Sequence, residues 1–172
     1  TLLSRVIGYE FDKEDIHQSF AEMYGVDYQK SKELTFKQLY GGVFKKYEHL
    51  EYFQKIKEYI RNLWLIFEHG EDIECPISSY VYNKKYYEDM NPQKLFNYLL
   101  QNLETSMNVR ILWDVLCLLK GKNTKLRLYT YDSFLFDWDQ EEEQVMLDIK
   151  DVFKKYKFNI KIKQGYDYDF KK

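Results

Sequence analysis

An α+β fold is what this sequence predicts, on three observations. Apolar residues recur at helical spacing through most of the 172-residue chain. One stretch, Leu126 to Asp139, breaks that rhythm with two runs of β-branched, aromatic and aliphatic residues flanking Asp132-Ser133, the signature of a tight hairpin. A final alternating run, Phe158 to Lys163, supplies a strand that can join the hairpin in a small antiparallel sheet. A chain of this length holds one compact domain or two small lobes, with enough residues to bury most of its apolar surface.

The elements follow in order. Leu2, Leu3, Val6 and Ile7 give Thr1 to Tyr9 helical spacing. Asp12 is placed to cap a helix over about Lys13 to Tyr24, whose stripe is Ile16, Phe20, Met23 and Tyr24, and Gly25 ends it. His17 sits beside that stripe. From Tyr28 to Phe44 the residues Phe36, Leu39, Tyr40, Val43 and Phe44 follow helical spacing, so both Phe36 and Tyr40 are expected in the core. Gly41-Gly42 costs on the order of 1 kcal/mol per glycine against alanine inside a helix, which predicts a bend or close approach there.

A long amphipathic helix from Glu48 to Glu68 is built on Leu50, Phe53, Ile56, Ile60, Leu63, Trp64 and Phe67, and His69-Gly70 closes it. Ile73 to Tyr87 reads as extended, interrupted at Pro76 and turning at Asn83-Lys84-Lys85. Asn91 and Pro92 start the longest helix, which runs to Lys120 and stops at Gly121. After the hairpin, Asp139 with Glu142 resembles a capping box, and Val145, Ile149, Val152, Phe153 and Tyr156 form the next helical face.

Composition narrows the function classes. The net charge of -2 excludes a globally basic nucleic-acid binder but leaves room for a local basic face. Between Asp27 and Lys46 five lysines stand against Asp27 and Glu33, a net of +3. Aromatics make up 19% of the chain, with 17 tyrosines, which suits half-wet surfaces where a ligand lies and equally fits A/T-rich coding. Cys75 and Cys117 are far apart and in no ligand spacing, so reduced thiols in an intracellular protein are expected. His17, His49 and His69 make no zinc pattern, and no apolar run is long enough for a membrane span. Without an initiator methionine or signal-like start, the chain reads as a piece of something longer.

Two positions carry chemistry on residue type alone. Asp132, between two apolar strands, is either a turn former bonding its own backbone or a carboxylate held open for a divalent cation. Lys32, one turn before Phe36 on the same face, is either snorkelling or aimed at an anion.

The order of these pieces resembles the fingers and palm of family A DNA polymerases, the bacterial DNA polymerase I type, in a phage-like version. Asp15-Ile16-His17 resembles the family's Asp-Ile-His before the fingers. Lys32, Phe36, Tyr40 and Gly41 match the fingers-helix motif of Arg, three residues, Lys, three residues, Phe, three residues, Tyr-Gly. Tyr131-Asp132-Ser133 stands where the family's palm hairpin has His-Asp-Glu, and the tail from Phe158 to Tyr168 is similar to its closing strand. There are departures. The leading Arg falls at Tyr28, with Lys30 nearby as a substitute charge; the Glu after the hairpin acid is Ser133; and the family's palm-helix Gln falls at Glu104.

That resemblance implies residues 1–9 as a palm helix continuing from an upstream strand, 10–90 as fingers and 91–172 as C-terminal palm. It implies two-metal transfer of dNTPs to a primer 3′ end, with Asp132 as catalytic acid and metal ligand. The second carboxylate would come from outside the chain, and Mg2+ would be the cofactor. Asp137, read as lying opposite Leu128 and about four strand steps of roughly 3.3 Å from the hairpin tip, is too far to share an ion. Lys32 would neutralise the triphosphate, His17 would donate to a phosphate oxygen, Phe36 would pack on the sugar, and Tyr40 would cover the nascent pair or hold the template base. Closing the fingers would bring this face toward the hairpin.

The implied partners are primer–template DNA, dNTPs and the remainder of a polymerase chain, with no membrane, in the cytoplasm of a bacterium or phage-infected cell. By itself such a fragment is expected to be inactive. Two other readings stand beside this one. One is a non-enzymatic α+β module that binds single-stranded nucleic acid or a protein through its tyrosine-rich surface. The other is a metal nuclease, for which the sequence shows neither a dense carboxylate cluster nor a catalytic histidine constellation.

Overall fold

The structure, a computed structural model, describes residues 2–13, 15–131, 133–158 and 160–166. It is an α+β fold with six α-helices and two antiparallel two-stranded sheets among the described residues. No helix among them is long and apolar enough to cross a membrane. The chain divides into two compact units, Thr1–Ser106 and Met107–Lys172, so the division falls within the longest helix, past the 90/91 boundary expected from sequence.

The first unit begins with α1 (Leu2–Val6) and α2 (Ile16–Tyr24). Asp15, rather than Asp12, caps α2: its Oδ1 accepts from the backbone N–H groups of His17 at 3.0 Å and Gln18 at 3.2 Å, which starts the helix three residues later than expected. Gly25 ends it at φ 66°, a left-handed conformation that a Cβ would strain. Next come α3 (Tyr28–Gly41), a 3-10 turn at Lys45–Tyr47, and α4 (Glu51–Glu68). A short hairpin, β1 (Ile73–Glu74) with β2 (Val81–Tyr82), leads to a 3-10 turn at Lys84–Tyr86 and to α5 (Pro92–Leu118), which Asn91 caps through the N–H of Lys94.

Two apolar clusters hold this unit. Phe20, Tyr24, Tyr47, Tyr52, Phe53, Ile56, Phe96 and Leu100 form one, and Leu63, Phe67, Ile73, Cys75, Tyr82, Leu95, Leu99 and Leu103 the other. Fully burying a side chain the size of Phe20 or Phe53 contributes roughly 1.5–3 kcal/mol, and the ring pairs, such as Phe20–Phe53 at 6.0 Å, add to that.

The structure bears out the expected stripe of α3 only in part: Leu39, Tyr40 and Val43 pack against the core, whereas Phe36 and Phe44 are exposed. The buried residues of α3 are Ser31, Thr35 and Gln38, while Phe36 is 53% exposed and Tyr40 half-buried. A row of polar groups is buried because α2 meets each of them with a partner. The Ser31 hydroxyl lies 2.9 Å from the His17 carbonyl and 2.8 Å from that of Tyr28. Tyr24 Oη pairs with Thr35 Oγ1 at 3.1 Å and accepts from Gln38 Nε2 at 3.2 Å, and Gln38 Oε1 accepts from the N–H of Phe44 at 3.3 Å. Val43 and Phe44, expected on the helix, lie beyond it, because Gly42 at φ 95° and ψ 152° breaks the helical path. That conformation is accessible essentially only to glycine.

The second unit comprises the end of α5, β3 (Lys125–Thr130), β4 (Ser133–Asp137) and α6 (Glu143–Lys155). Ile111, Val115, Leu119, Val145 and Ile149 form its core, with Leu126, Phe134, Phe136 and Phe153 packed on them. The hairpin pairs Lys125 with Asp137, Leu128 with Leu135, and Thr130 with Ser133, with an irregularity between Leu126 and Leu128. Asp137 is therefore opposite Lys125 and not Leu128: the pairing of Thr130 with Ser133, which makes Ser133 a strand residue, accounts for two positions of the difference and the irregularity for the third.

Two further expectations change in this unit. Asp139 and Glu142 form no capping box: Glu142 turns its carboxylate to the N–H groups of Asn123 at 2.9 Å and Thr124 at 2.8 Å, which lowers its pKa. Residues 158 and 160–163 form no strand; α6 closes with Lys157 at φ 58° and the Phe158 N–H on the Phe153 carbonyl at 3.1 Å, which folds Phe158 back against the core. Asn159, the remaining member of that run, and Tyr168 lie outside the described residues.

The α2–α3 seam is open to test. Burial pushes the Tyr24 phenol up to about 12, so it stays neutral and hydrogen-bonded at ordinary pH. Tyr24→Phe leaves Gln38 and Thr35 without their shared partner and should cost about 1–3 kcal/mol in urea unfolding. An unchanged midpoint would show that the seam contributes nothing to stability.

Candidate functional site

Burial of Ser31, Thr35 and Gln38 leaves an aromatic and cationic face on another side of α3. Tyr28, Lys32, Phe36 and Tyr40 stand four residues apart along it, and that spacing stacks side chains on one side of a helix. The Lys32 ammonium lies 4.7 Å from the Tyr28 ring centroid, and the Phe36 and Tyr40 rings stack at 6.5 Å with 13° between planes.

His17 joins this face from α2. Its ring is 5.9 Å from that of Tyr28, nearly perpendicular, and 6.4 Å from that of Phe36. Burial lowers its pKa first and the neighbouring Lys32 charge lowers it further, against a smaller upward pull from Asp15. The imidazole is therefore neutral at pH 7. Its Nδ1 is buried without a hydrogen-bond partner among the described residues.

Lys32 forms no ion pair among the described residues, whereas Lys30 is bound to Glu33 at 3.2 Å and points to a different neighbour. Lys30 is thus already partly neutralised, which weakens its expected role as a substitute charge. The C-terminal end of α3 is held from α5: Gln93 donates to the Leu39 carbonyl at 2.8 Å and Asn97 to the Tyr40 carbonyl at 3.1 Å. These amides satisfy carbonyls that a helix end leaves open. Gly41 is the last helical residue and meets no neighbouring atom where a Cβ would stand; the glycine that the backbone requires is Gly42.

Tyr40 also feels Glu104. Burial and then the Glu104 charge raise the Tyr40 phenol, and partial shelter raises the Glu104 carboxyl although the residue as a whole is exposed. His17, Lys32, Phe36 and Tyr40 are therefore brought together in the first unit, with Glu104 within electrostatic reach of Tyr40.

The hairpin residues belong to the second unit. Tyr131 is 88% exposed at φ 25°, and its carbonyl accepts from Asn108 Nδ2 at 2.6 Å. Ser133 Oγ pairs with Thr130 Oγ1 at 2.5 Å. Asp132 lies outside the described residues. Asp137 is spent on Arg127 at 2.7 Å. Among the described residues no three His, Cys, Asp or Glu side chains converge on a point, so these side chains alone do not make a Mg2+ cage.

Sequence reasoning set Tyr28 at the motif's leading position without giving it a role, and missed Asp15, Gln93 and Asn97 as the groups that set this face. Tyr28 was legible, since it precedes Lys32 by the same four residues that separate Lys32 from Phe36. The amides of α5 carried no local signal, because their partners are more than fifty residues away in the chain.

The electrostatic link between His17 and Lys32 sets a measurable outcome. Lys32→Met should raise the His17 pKa in an NMR titration, because a repelling charge is removed; no change would place the two charges too far apart to matter. The same depression makes stability pH-dependent. Above the unfolded-state value near 6.5 the contribution of neutral His17 is fully present, and it is lost as the pH falls toward the lower folded value.

No family model, no curated protein and no solved structure matches this chain.

Proposed function

We propose that the chain is the nucleotide-binding fingers and part of the palm of a template-directed DNA polymerase of the family A type, acting on dNTPs and primer–template DNA within a larger polypeptide. The observation that carries this reading is the one-sided build of α3. One row of it, Ser31, Thr35 and Gln38, is buried, and Lys32, Phe36 and Tyr40 form another row, four residues apart, with the His17 ring beside Phe36.

Each member suits a part of a dNTP. An ammonium without a carboxylate partner among the described residues can donate to phosphate oxygens, and the His17 ring lies beside it on the Tyr28 ring. A stacked, half-open ring pair offers flat apolar surface to a sugar and a base. Mg2+ enters this reading only through Asp132, which would share ions with a carboxylate from outside the chain.

A second reading, a non-enzymatic binding module, is favoured by one observation. Tyr80, Tyr82, Tyr87 and Tyr98 line an open groove of about 460 Å³ with Gln101, Asn102 and Thr105, a surface without charge that suits stacking partners.

Titration of the chain with a fluorescent dATP analogue in Mg2+ should show saturable binding that Lys32→Ala weakens about tenfold or more, the worth of a charge-assisted hydrogen bond. Binding that ignores Lys32, while responding to Tyr80→Ala, would favour the module. In a polypeptide completed by an upstream acid-bearing strand, Asp132→Ala should abolish primer extension and retain primer–template binding. Normal extension by that variant would remove the metal role.

A further inference from the structure

The first residue of α3 makes more contacts than a surface tyrosine at a helix start needs. Tyr28 presents its ring face to the Lys32 ammonium at 4.7 Å, abuts the His17 ring at 5.9 Å, and donates its hydroxyl to Asp15 Oδ2 at 3.3 Å. Asp15 is already committed through Oδ1 to the start of α2. The Tyr28 side chain therefore links the acid that starts α2 to the Lys32 ammonium on α3.

We propose that Tyr28 is a positioning residue for polyphosphate recognition: its ring holds the Lys32 ammonium beside His17, and its hydroxyl bond to Asp15 fixes where that ring stands. This rests on the nucleotide-binding reading above and deepens it by naming what prepares the cation.

The physical case is one of competing partners. A carboxylate at hydrogen-bond distance satisfies an ammonium and must be displaced before a phosphate can bind, and both charges then need new partners. A ring face restrains the long lysine side chain, reducing the rotamer entropy lost on binding, yet occupies only one side of the ammonium and consumes none of its charge. An arriving phosphate can then take the open N–H groups while the ring contact persists. His17 gains in the same way, because Tyr28 and Phe36 flank its ring and fix which edge it presents. Of the three interactions, the hydroxyl bond to Asp15 is the most easily overlooked, since it touches no ligand.

The test uses inorganic tripolyphosphate, which lacks base and sugar, alongside Mg2+–dATP. Tyr28→Leu should weaken tripolyphosphate binding to the full chain about two- to fivefold, the range expected for an exposed cation–π contact, and Tyr28→Phe should weaken it less. The His17 pKa should rise in Tyr28→Leu as the ring is uncovered, with binding of the phosphate-free nucleoside unchanged. In the unsubstituted chain, the Lys32 side-chain protons next to the ammonium should resonate upfield from the ring current and move on tripolyphosphate addition. That reading does not depend on the leucine variant folding.

Tripolyphosphate binding by Tyr28→Leu as tight as that of the unsubstituted chain, or Lys32 resonances at ordinary positions, would overturn the proposal. Failure of the nucleotide-binding reading looks different. In that case Lys32→Ala leaves tripolyphosphate affinity unchanged, while the His17 and Lys32 resonances still report Tyr28 packed against them.

Discussion

The hydroxyl–amide seam between α2 and α3 is the constraint on which the candidate face depends. Tyr24, Thr35 and Gln38 are buried polar groups that satisfy one another, and Ser31 adds a third tie, to the His17 carbonyl. A buried polar group without a partner costs about 1–3 kcal/mol, so these residues hold α3 in one rotational setting. An apolar stripe could slide against another apolar surface with modest loss, whereas a mismatched set of hydroxyls and amides would lose several partners at once. The seam therefore does more than attach a helix: it leaves Phe36 exposed and Lys32 and Tyr40 half-buried at the edge of the core.

With that setting in place, the surrounding groups prepare the face without neutralising it. Asp15 starts α2 and takes the Tyr28 hydroxyl, Tyr28 receives the Lys32 ammonium on its ring, and His17 is held neutral by burial and by the nearby positive charge. At the other end, Gln93 and Asn97 occupy the carbonyls of Leu39 and Tyr40, which steadies the last turn before the break at Gly42. Exposing large aromatic rings forgoes roughly 1.5–3 kcal/mol of burial apiece at the upper limit, so a face of this kind is stable only because the aromatic cluster around Phe20, Tyr52 and Phe53 carries the unit.

The second unit uses a different device. A two-stranded hairpin is marginal by itself, and here Leu126, Phe134 and Phe136 lie against the core formed by Ile111, Val115, Val145 and Ile149. Glu142 ties the loop before β3 to the start of α6, and Asp114 receives both Lys155 at 2.7 Å and Tyr156 at 2.9 Å, which anchors the far end of α6 to α5. These ties replace the third strand that the alternation of Phe158 to Lys163 suggested. Alternation describes which side chains share a face, but a strand also needs a partner edge, and the left-handed turn at Lys157 directs the chain elsewhere.

Much of the local structure was written in the sequence. The fold class, the helices from Ile16, Tyr28, Glu51, Pro92 and Glu143, and the hairpin around residues 125–137 follow from periodicity and from Asn91-Pro92, Gly25 and Gly121, because those signals act over a few residues. Membership of the candidate face was also legible through the four-residue spacing of Lys32, Phe36 and Tyr40. What the sequence could not decide was the direction that face points. Helical periodicity reports that Phe36 and Tyr40 share a side, and hydrophobicity then assigns that side to the core. An exposed Phe36 requires knowing that Tyr24 will present a hydroxyl to Thr35 and Gln38 across a helix–helix contact. Hydrogen bonds between residues eleven and fourteen positions apart depend on how two helices are packed, and only the tertiary structure sets that packing.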